Sequence, residues 1–262
     1  MKITTHQYAY GPHPSQTVRL ILPGGAHIPV AVVIHGGYWR SAYGAELAEP
    51  LGRDLTRFGV GAAVIEYRRM GEGGGWPTTL ADVARAVDSL AVQGQKVAEG
   101  TLLLDRVAAI GHSAGGQLAA WLAHRGSLRA GTAGSVGPGE LHVPVVGAVT
   151  QAGLLDLVGA AGERLGDGAV VALMEGEPRS LPQRYHHASP LASVGDGARV
   201  VCVHGDADDT VPLSQSERYV EAARMAGDPA RLIVLPGVGH FELIDPDERA
   251  WEVCRDQLLR MV

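Results

Sequence analysis

Cysteine and long hydrophobic runs are both scarce in this chain of 262 residues. Its two cysteines, Cys202 and Cys254, are predicted to pack in the core as free thiols rather than to form a disulfide, which fits a reducing, cytoplasmic compartment. The longest apolar run, residues 28–34, is too short to span a bilayer and is broken by Pro29. The polar N-terminal residues also lack the apolar core of a secretory signal. These absences predict a soluble protein with no membrane partner.

An excess of basic charge is missing as well. Lysine and arginine number 22 against 28 aspartates and glutamates, which gives a formal net charge of −6. Nucleic acid is therefore not an expected partner, because no basic stripe could displace counterions from its phosphates. Cysteine and histidine do not recur at the spacing of metal ligands, so no metal site is predicted. These features do not fix the oligomeric state, and a homodimer stays open.

Apolar residues are plentiful, at 46% of the chain, and the length predicts a single domain over residues 1–262. Apolar runs of strand length alternate with stretches of helical period. The predicted strands cover residues 18–22, 30–35, 60–67, 106–111, 143–150, 198–204 and 231–235. The predicted helices lie at 46–58, after Pro77, around 118–122, at 216–225 and after Asp245, which would cap a helix with Pro246 in its first turn and Glu248 completing a capping box. This alternation predicts the α/β class, with a mostly parallel sheet and helices on both faces.

Two stretches interrupt the alternation. Residues 126–139 are rich in glycine, alanine and serine and are predicted to form a surface loop. Residues 154–192 lie between two predicted strands and have mixed helical and loop composition. They are the natural place for a small cap over a pocket, and a plain excursion helix is the alternative.

The strand at 106–111 runs directly into Gly111-His112-Ser113-Ala114-Gly115, a G-x-S-x-G pattern, and a predicted helix follows. A serine at such an elbow needs a strained backbone, and glycines on either side remove the Cβ atoms that would clash. The helix N-terminus also directs N–H groups and a positive dipole end at an anion near Ser113. The pattern therefore favours a nucleophilic serine over a glycine-rich turn with a capping serine.

A second pattern, His35-Gly36-Gly37-Tyr38-Trp39, follows the strand at 30–35. Acyl transfer needs N–H donors aimed at the developing oxyanion, and paired glycines allow the backbone to turn such donors inward. The candidate donors are the N–H groups of Gly37, Tyr38 and Ala114. The side chains of Tyr38 and Trp39 are candidates for the apolar walls of a substrate pocket.

Candidates for a general base and its orienting acid follow the last two strands. The segment HGDADDTVP at 204–212 has three carboxylates, and its spacing favours Asp208, with Asp206 as the alternative and Asp209 as a cap of the next turn. The segment PGVGHF at 236–241 places His240 in a glycine-flanked loop. An acid in this role holds the imidazole in one tautomer and stabilises its cation.

These four segments resemble motifs of the α/β-hydrolase superfamily, and they occur in its chain order of serine, acid and histidine. Within that superfamily, HGGYW together with EYRRMGEGGGWPTTLADV at 66–83 is similar to kynurenine formamidase-like and related small carboxylesterases. The resemblance implies a serine hydrolase that cleaves a small carboxylic ester or aryl formamide through an acyl-enzyme, with no cofactor.

Two alternatives stay open within this interpretation. One is a kynurenine formamidase proper, acting on N-formylkynurenine, in which Arg40, Arg68 or Arg69 would meet the substrate carboxylate unless these arginines are simply solvated. The other is a non-catalytic ligand-binding protein on a hydrolase scaffold, although such proteins usually lack a triad member.

Overall fold

A mixed sheet of eight strands forms the centre of the computed structural model, which describes residues 3–137, 139 and 141–262. The strands are β1 (Thr4–Ala9), β2 (Thr17–Leu22), β3 (Ile28–Ile34), β4 (Gly61–Ile65), β5 (Leu102–His112), β6 (Ala148–Gln151), β7 (Val200–Gly205) and β8 (Ala230–Leu235). Their spatial order is β1-β2-β4-β3-β5-β6-β7-β8. The strands β1 and β2 are antiparallel to their neighbours, and the other six run parallel.

Helices cover both faces of this sheet. They are α1 (Glu49–Thr56), α2 (Thr78–Asp88), α3 (Gln93–Val97), α4 (Ala114–Ala123), α5 (Leu157–Gly162), α6 (Leu165–Met174), α7 (Pro182–Ala188), α8 (Ser214–Ala226) and α9 (Arg249–Leu259). The apolar sides of α1 and α9 share one core layer, and those of α2, α4 and α8 share the other. The central strands are continuous β-branched and apolar runs because both of their faces are covered.

The predicted α/β class is therefore confirmed, and so is the packing of both cysteines as buried free thiols. Seven strands were predicted close to where they lie, but β1 was not, because its residues are polar and alternate between half-buried and exposed at the sheet edge. The strand β6 begins at Ala148 rather than at residue 143. Residues 143–147 belong to the long irregular connection after α4.

The predicted start of the last helix is wrong. Helix α9 begins at Arg249, and Glu248 has the extended backbone of its N-cap position. Asp245 instead ends a short 3-10 turn, where its carboxylate accepts a hydrogen bond from the amide of Asp247. Asp245 therefore stabilises a turn that precedes the helix rather than the first turn of the helix itself.

The predictions for the two interrupting stretches agree with the structure to different degrees. Residues 126–139 contain no regular helix or strand beyond the turn Arg125–Ser127, as predicted for a loop, and Pro138 lies outside the described residues. Residues 154–192 contain the three helices α5 to α7, which is more than a single excursion helix. In the described part of the chain, no helix is both long and apolar enough to cross a membrane.

Candidate active site

Ser113 stands at the sharp turn between β5 and α4, with a left-handed backbone at φ 56° and ψ −118°. Both flanking glycines are required by close contacts. A Cβ atom on Gly111 would lie 2.1 Å from the carbonyl oxygen of Gly115, and one on Gly115 would lie 2.2 Å from that of Ile34. The strained elbow expected from the G-x-S-x-G pattern is thus present, and the serine backbone is held at the carboxyl end of the central strand.

His240 lies in the loop after β8, and its Nδ1–H donates a hydrogen bond of 2.6 Å to Oδ2 of Asp208. The other carboxylate oxygen of Asp208 accepts the amides of Thr210 and Val211 at 2.9 and 2.8 Å. Burial alone would raise the pKa of Asp208, but hydrogen bonds from His204, His240 and the Val211 amide hold it well below its usual range. Asp208 therefore stays ionised and fixes which nitrogen of His240 carries the proton.

The two competing carboxylates of this segment have other partners. Asp206 accepts the amide of Gly237 at 2.6 Å, and Asp209 accepts the hydroxyl of Thr210 at 3.1 Å. Asp206 and Asp209 are both exposed residues, whereas the side chain of Asp208 is fully buried. The acid that the structure brings to His240 is Asp208.

His112, the residue before Ser113, is in contact with His240. The rings of His112 and His240 have centroids 4.3 Å apart, and Nε2 of His112 donates to the carbonyl of His240 at 2.9 Å. Among the described residues, no hydrogen bond joins the Ser113 hydroxyl to the His240 ring. Catalytic hydrogen bonds are often long or poorly aligned before substrate binds, and among the described residues Nε2 of His240 has no hydrogen-bond partner that would compete with Ser113.

The predicted oxyanion loop follows β3 and packs directly on the serine elbow. A Cβ atom on Gly36 would lie 2.7 Å from the His112 carbonyl and 3.1 Å from Cβ of Ser113. Three consecutive residues, Gly37, Tyr38 and Trp39, then have positive φ of 104°, 50° and 54°. In the part of the chain that the structure describes, the amides of Gly37 and Tyr38 donate no hydrogen bond, and Ala114 is the first residue of a helix, where amides also lack intrahelical partners.

The side chains of Tyr38 and Trp39 lie in different environments. The hydroxyl of Tyr38 donates to the carbonyl of Thr210 at 2.9 Å, and its ring lies against Gly166, where a Cβ atom would come within 2.6 Å. Trp39 is 0% exposed, and its indole N–H donates to Gln117 at 3.1 Å. Tyr38 is half-buried and accessible to a substrate, whereas the buried Trp39 packs under the loop. The substrate roles of both remain predictions.

Three arginines were expected either to meet a substrate carboxylate or to be solvated. All three form hydrogen bonds or ion pairs with other groups of the protein. Arg68 donates to both carboxylate oxygens of the buried Asp82 at 2.8 Å. Arg69, which is 6% exposed, lies 3.0 Å from Glu66 and 2.8 Å from Glu72. Of these three arginines, Arg40 alone has no carboxylate partner among the described residues, and it donates to the carbonyl of Gly166 at 2.5 Å.

His35 anchors the start of the predicted oxyanion loop. Its ring stacks on Tyr67 with centroids 4.5 Å apart, and Nε2 lies 3.0 Å from the carboxylate of Glu66. Burial would raise the pKa of Glu66, but the hydrogen bond with His35, the amide of Ala45 and the charge of Arg69 lower it. An ionised carboxylate thus holds the residue before the two glycines.

Sequence reasoning missed two contacts at the site: the hydrogen bond from His112 to the His240 loop, and a similar one from the buried Gln151 to the carbonyl of Leu243. The only available signal was their position, because each is the last residue of a parallel strand. The described residues contain no group of three or more histidine, cysteine, aspartate or glutamate side chains placed to hold a metal ion.

Several of the known proteins to which this chain is similar are named as esterases. Residues 21–222 match the family model described as BD-FAE. A probable isoprenylcysteine alpha-carbonyl methylesterase of Oryza sativa subsp. japonica is 28% identical over 255 residues, which cover 91% of this chain and 57% of the relative. A second rice relative, also named a probable methylesterase of this kind, is 27% identical over 253 residues. The chain spans a little over half the length of these curated relatives.

Solved structures share the whole architecture. A truncated form of a carbohydrate esterase from gut microbiota superposes with a TM-score of 0.84 at 22% identity, covering 100% of this chain and 96% of the other. Thermogutta terrifontis esterase 2 phosphorylated by paraoxon superposes with a TM-score of 0.72 at 22% identity, covering 97% and 91%. At these identities the likeness establishes a common fold.

Proposed function

The chain belongs to the BD-FAE family and to the α/β-hydrolase superfamily, and from this premise we propose that it is a serine carboxylesterase acting on small esters. Ser113 is the proposed nucleophile, His240 the general base and Asp208 the acid that orients it. The observation that carries the proposal is the 2.6 Å hydrogen bond between His240 and Asp208, with the His240 ring against His112, the residue that precedes Ser113 at the strained elbow. The proposed unit is a single domain over residues 1–262, with 154–192 as a small helical insertion.

The proposed reaction follows from the protonation states at the site. Asp208 keeps the proton of His240 on Nδ1, so Nε2 is free to accept the proton of the Ser113 hydroxyl as its oxygen attacks the acyl carbonyl. His240 then gives this proton to the departing alkoxide, which leaves an acyl group on Ser113. His240 then removes a proton from water as the water oxygen attacks the acyl carbonyl. The bond between the acyl group and the Ser113 oxygen breaks, His240 returns the proton to that oxygen, and the carboxylic acid is released.

The proposed oxyanion donors are the amides of Gly37, Tyr38 and Ala114. The support for them is that the first two are turned by positive φ and donate to no other group of the described chain, while the third begins α4. Removing one such donor typically lowers kcat by about 10²–10³-fold, so this loop is proposed to supply a large share of the rate.

Esters are proposed over aryl formamides because of the arginines. A kynurenine-like substrate has a carboxylate, and both Arg68 and Arg69 already pair with acidic side chains. Arg40 is the one remaining cation beside the loop that was considered for this role, and its guanidinium holds the Gly166 carbonyl. Hydrolysis of N-formylkynurenine is therefore the second candidate, and a non-catalytic role is the third.

A substrate panel with a covalent probe tests the proposal. Short-chain nitrophenyl esters are expected to be hydrolysed faster than N-formylkynurenine, and a fluorophosphonate is expected to label the wild type at Ser113. Ser113→Ala should lower ester turnover by about 10⁴–10⁶-fold and abolish labelling, whereas Ser193→Ala serves as the matched serine control. Unlabelled, inactive wild-type protein would favour a non-catalytic role, and labelling at another serine would remove Ser113 from the mechanism.

A further inference from the structure

The loop that carries His240 is held by two buried side chains that come from neighbouring strands. His112 and Gln151 are register partners in the parallel pair β5 and β6, and each is the last residue of its strand. His112 donates to the carbonyl of His240 at 2.9 Å, and Nε2 of Gln151 donates to the carbonyl of Leu243. The two bonds therefore hold the loop at points three residues apart.

Both side chains are buried and donate hydrogen bonds to the loop. Burial and the neighbouring His240 ring lower the pKa of His112 to about 3, so it stays neutral and does not compete for the proton that moves during acyl transfer. Gln151 is fully buried, and its own backbone carbonyl accepts the amide of Ser113 at 2.8 Å. One residue thus touches the serine elbow with its backbone and the histidine loop with its side chain.

The loop needs such support because its own sequence gives little rigidity. Gly237 and Gly239 flank the approach to His240, and Gly237 has a φ of +71°. A further bond to the loop, from the Gly237 amide to the carboxylate of Asp206, is exposed to solvent. Exposed hydrogen bonds compete with water, whereas the bonds from His112 and Gln151 do not.

We propose that His112 and Gln151 are positioning residues, which hold the main chain of the His240 loop in the register at which the imidazole meets Asp208 beside Ser113. The proposal rests on the proposed esterase function. Neither residue touches the reacting atoms in this role. A loop released at these two points would leave His240 paired with Asp208 for only part of the time.

Four variants separate this role from general structural support. His112→Phe keeps a flat ring against His240 but removes the donor, and His112→Gln restores an N–H donor at the same number of bonds from Cα. Gln151→Met keeps length and removes the second donor. His124→Phe is the matched control, because His124 is also buried and hydrogen-bonded but lies at the far end of α4, about 16 Å along the helix from Ser113.

We expect His112→Phe to lower kcat by up to about 100-fold with little change in KM, because small misplacements of a catalytic group act on the chemical step. The downfield proton resonance of the His240–Asp208 hydrogen bond should broaden or disappear. His112→Gln should recover most of kcat and the resonance. Gln151→Met should lower kcat too, and the double variant with His112→Phe should lose less than the product of the single effects, since both act on one loop.

His124→Phe should lower the melting temperature while kcat and the downfield resonance are retained. Unchanged kcat and an unchanged resonance in folded His112→Phe would overturn the inference, as would equal losses of kcat in His112→Phe and His124→Phe. These results are read only against wild-type protein that labels at Ser113, so a failure of the esterase proposal would be recognised separately by the absence of that label.

Discussion

Two of the buried histidines that contact aspartates, His240 and His124, differ in what the second ring nitrogen does. His240 donates to Asp208 at 2.6 Å, and His124 lies 2.9 Å from Asp196 through the same Nδ1 atom. Nε2 of His124 is bonded to the hydroxyl of Tyr219 at 2.8 Å. Nε2 of His240 has no hydrogen-bond partner among the described residues. A histidine–carboxylate pair thus becomes a candidate base only where the fold leaves the opposite nitrogen open beside a nucleophile.

The surroundings of the two pairs reinforce this difference. The His124 pair ties the end of α4 to α8 and to the loop before β7, and the hydroxyl of Ser127 also donates to Asp196. A serine, a histidine and an aspartate are therefore close in space there as well. Ser127 bonds to the acid rather than to the imidazole, so that cluster cannot pass a proton from serine to histidine. Proximity of the three residue types is not sufficient for catalysis.

The largest expected effect comes from exchanging the two carboxylates for amides. Asp208→Asn should lower kcat by about 10⁴-fold, because an amide favours the wrong tautomer of His240. Asp196→Asn should leave kcat unchanged and lower the melting temperature. Ester turnover and thermal unfolding of both variants check this. Equal kinetic losses in the two variants would break the comparison.

A smaller effect is expected in the pH dependence of stability, through the ring that touches His240. Because the folded-state pKa of His112 is about 3, below the value of roughly 6.5 for unfolded histidine, the unfolded state binds an extra proton between these values. Stability should therefore fall as pH drops from 6.5 towards 3, by at most about 1.4 kcal/mol per pH unit.

Denaturant titrations of wild type and His112→Gln over this pH range give the measurement. The variant lacks the titrating ring, so the difference in unfolding free energy between the two proteins should change with pH below 6.5 and stay constant above it. A constant difference throughout would mean that His112 is protonated to the same extent in both states.

The smallest expected effect tests the structural pair. Tyr219→Phe removes the partner of Nε2 of His124 and should lower the free energy of unfolding by about 1 kcal/mol. Ester turnover should not change. A measurable gain or loss of kcat would show that the two histidine–aspartate pairs are coupled across the sheet.

Sequence patterns predicted the fold and the proposed site residues for different reasons. The parallel strands were readable because burial on both faces demands continuous apolar runs, as in Val30–Ile34. Ser113 was readable because the elbow demands glycines on both sides, and both would clash if they had side chains. Structural requirements that act within one segment can therefore be recognised in the sequence of that segment.

Contacts between distant segments left no such signature. The pairing of Asp208 with His240 could be ranked but not distinguished by spacing alone from a role for Asp206, which lies two residues away and reaches the same loop at Gly237. The bond from His112 to the His240 carbonyl spans 128 residues and depends on strand register. The edge strand β1 was missed because one face and one edge meet solvent, so its sequence can stay polar.

The contact of Gly166 with the predicted oxyanion loop has a consequence for how this scaffold can be varied. Residues 154–192 could be exchanged to reshape the pocket, but Gly166 lies with φ +58° against the ring of Tyr38, and its carbonyl holds Arg40. A replacement segment that brings a side chain to this point would push on the amides proposed to bind the oxyanion. We expect replacement segments that keep a glycine at this position to change selectivity without loss of turnover. Segments that place a side chain there should lower turnover as well.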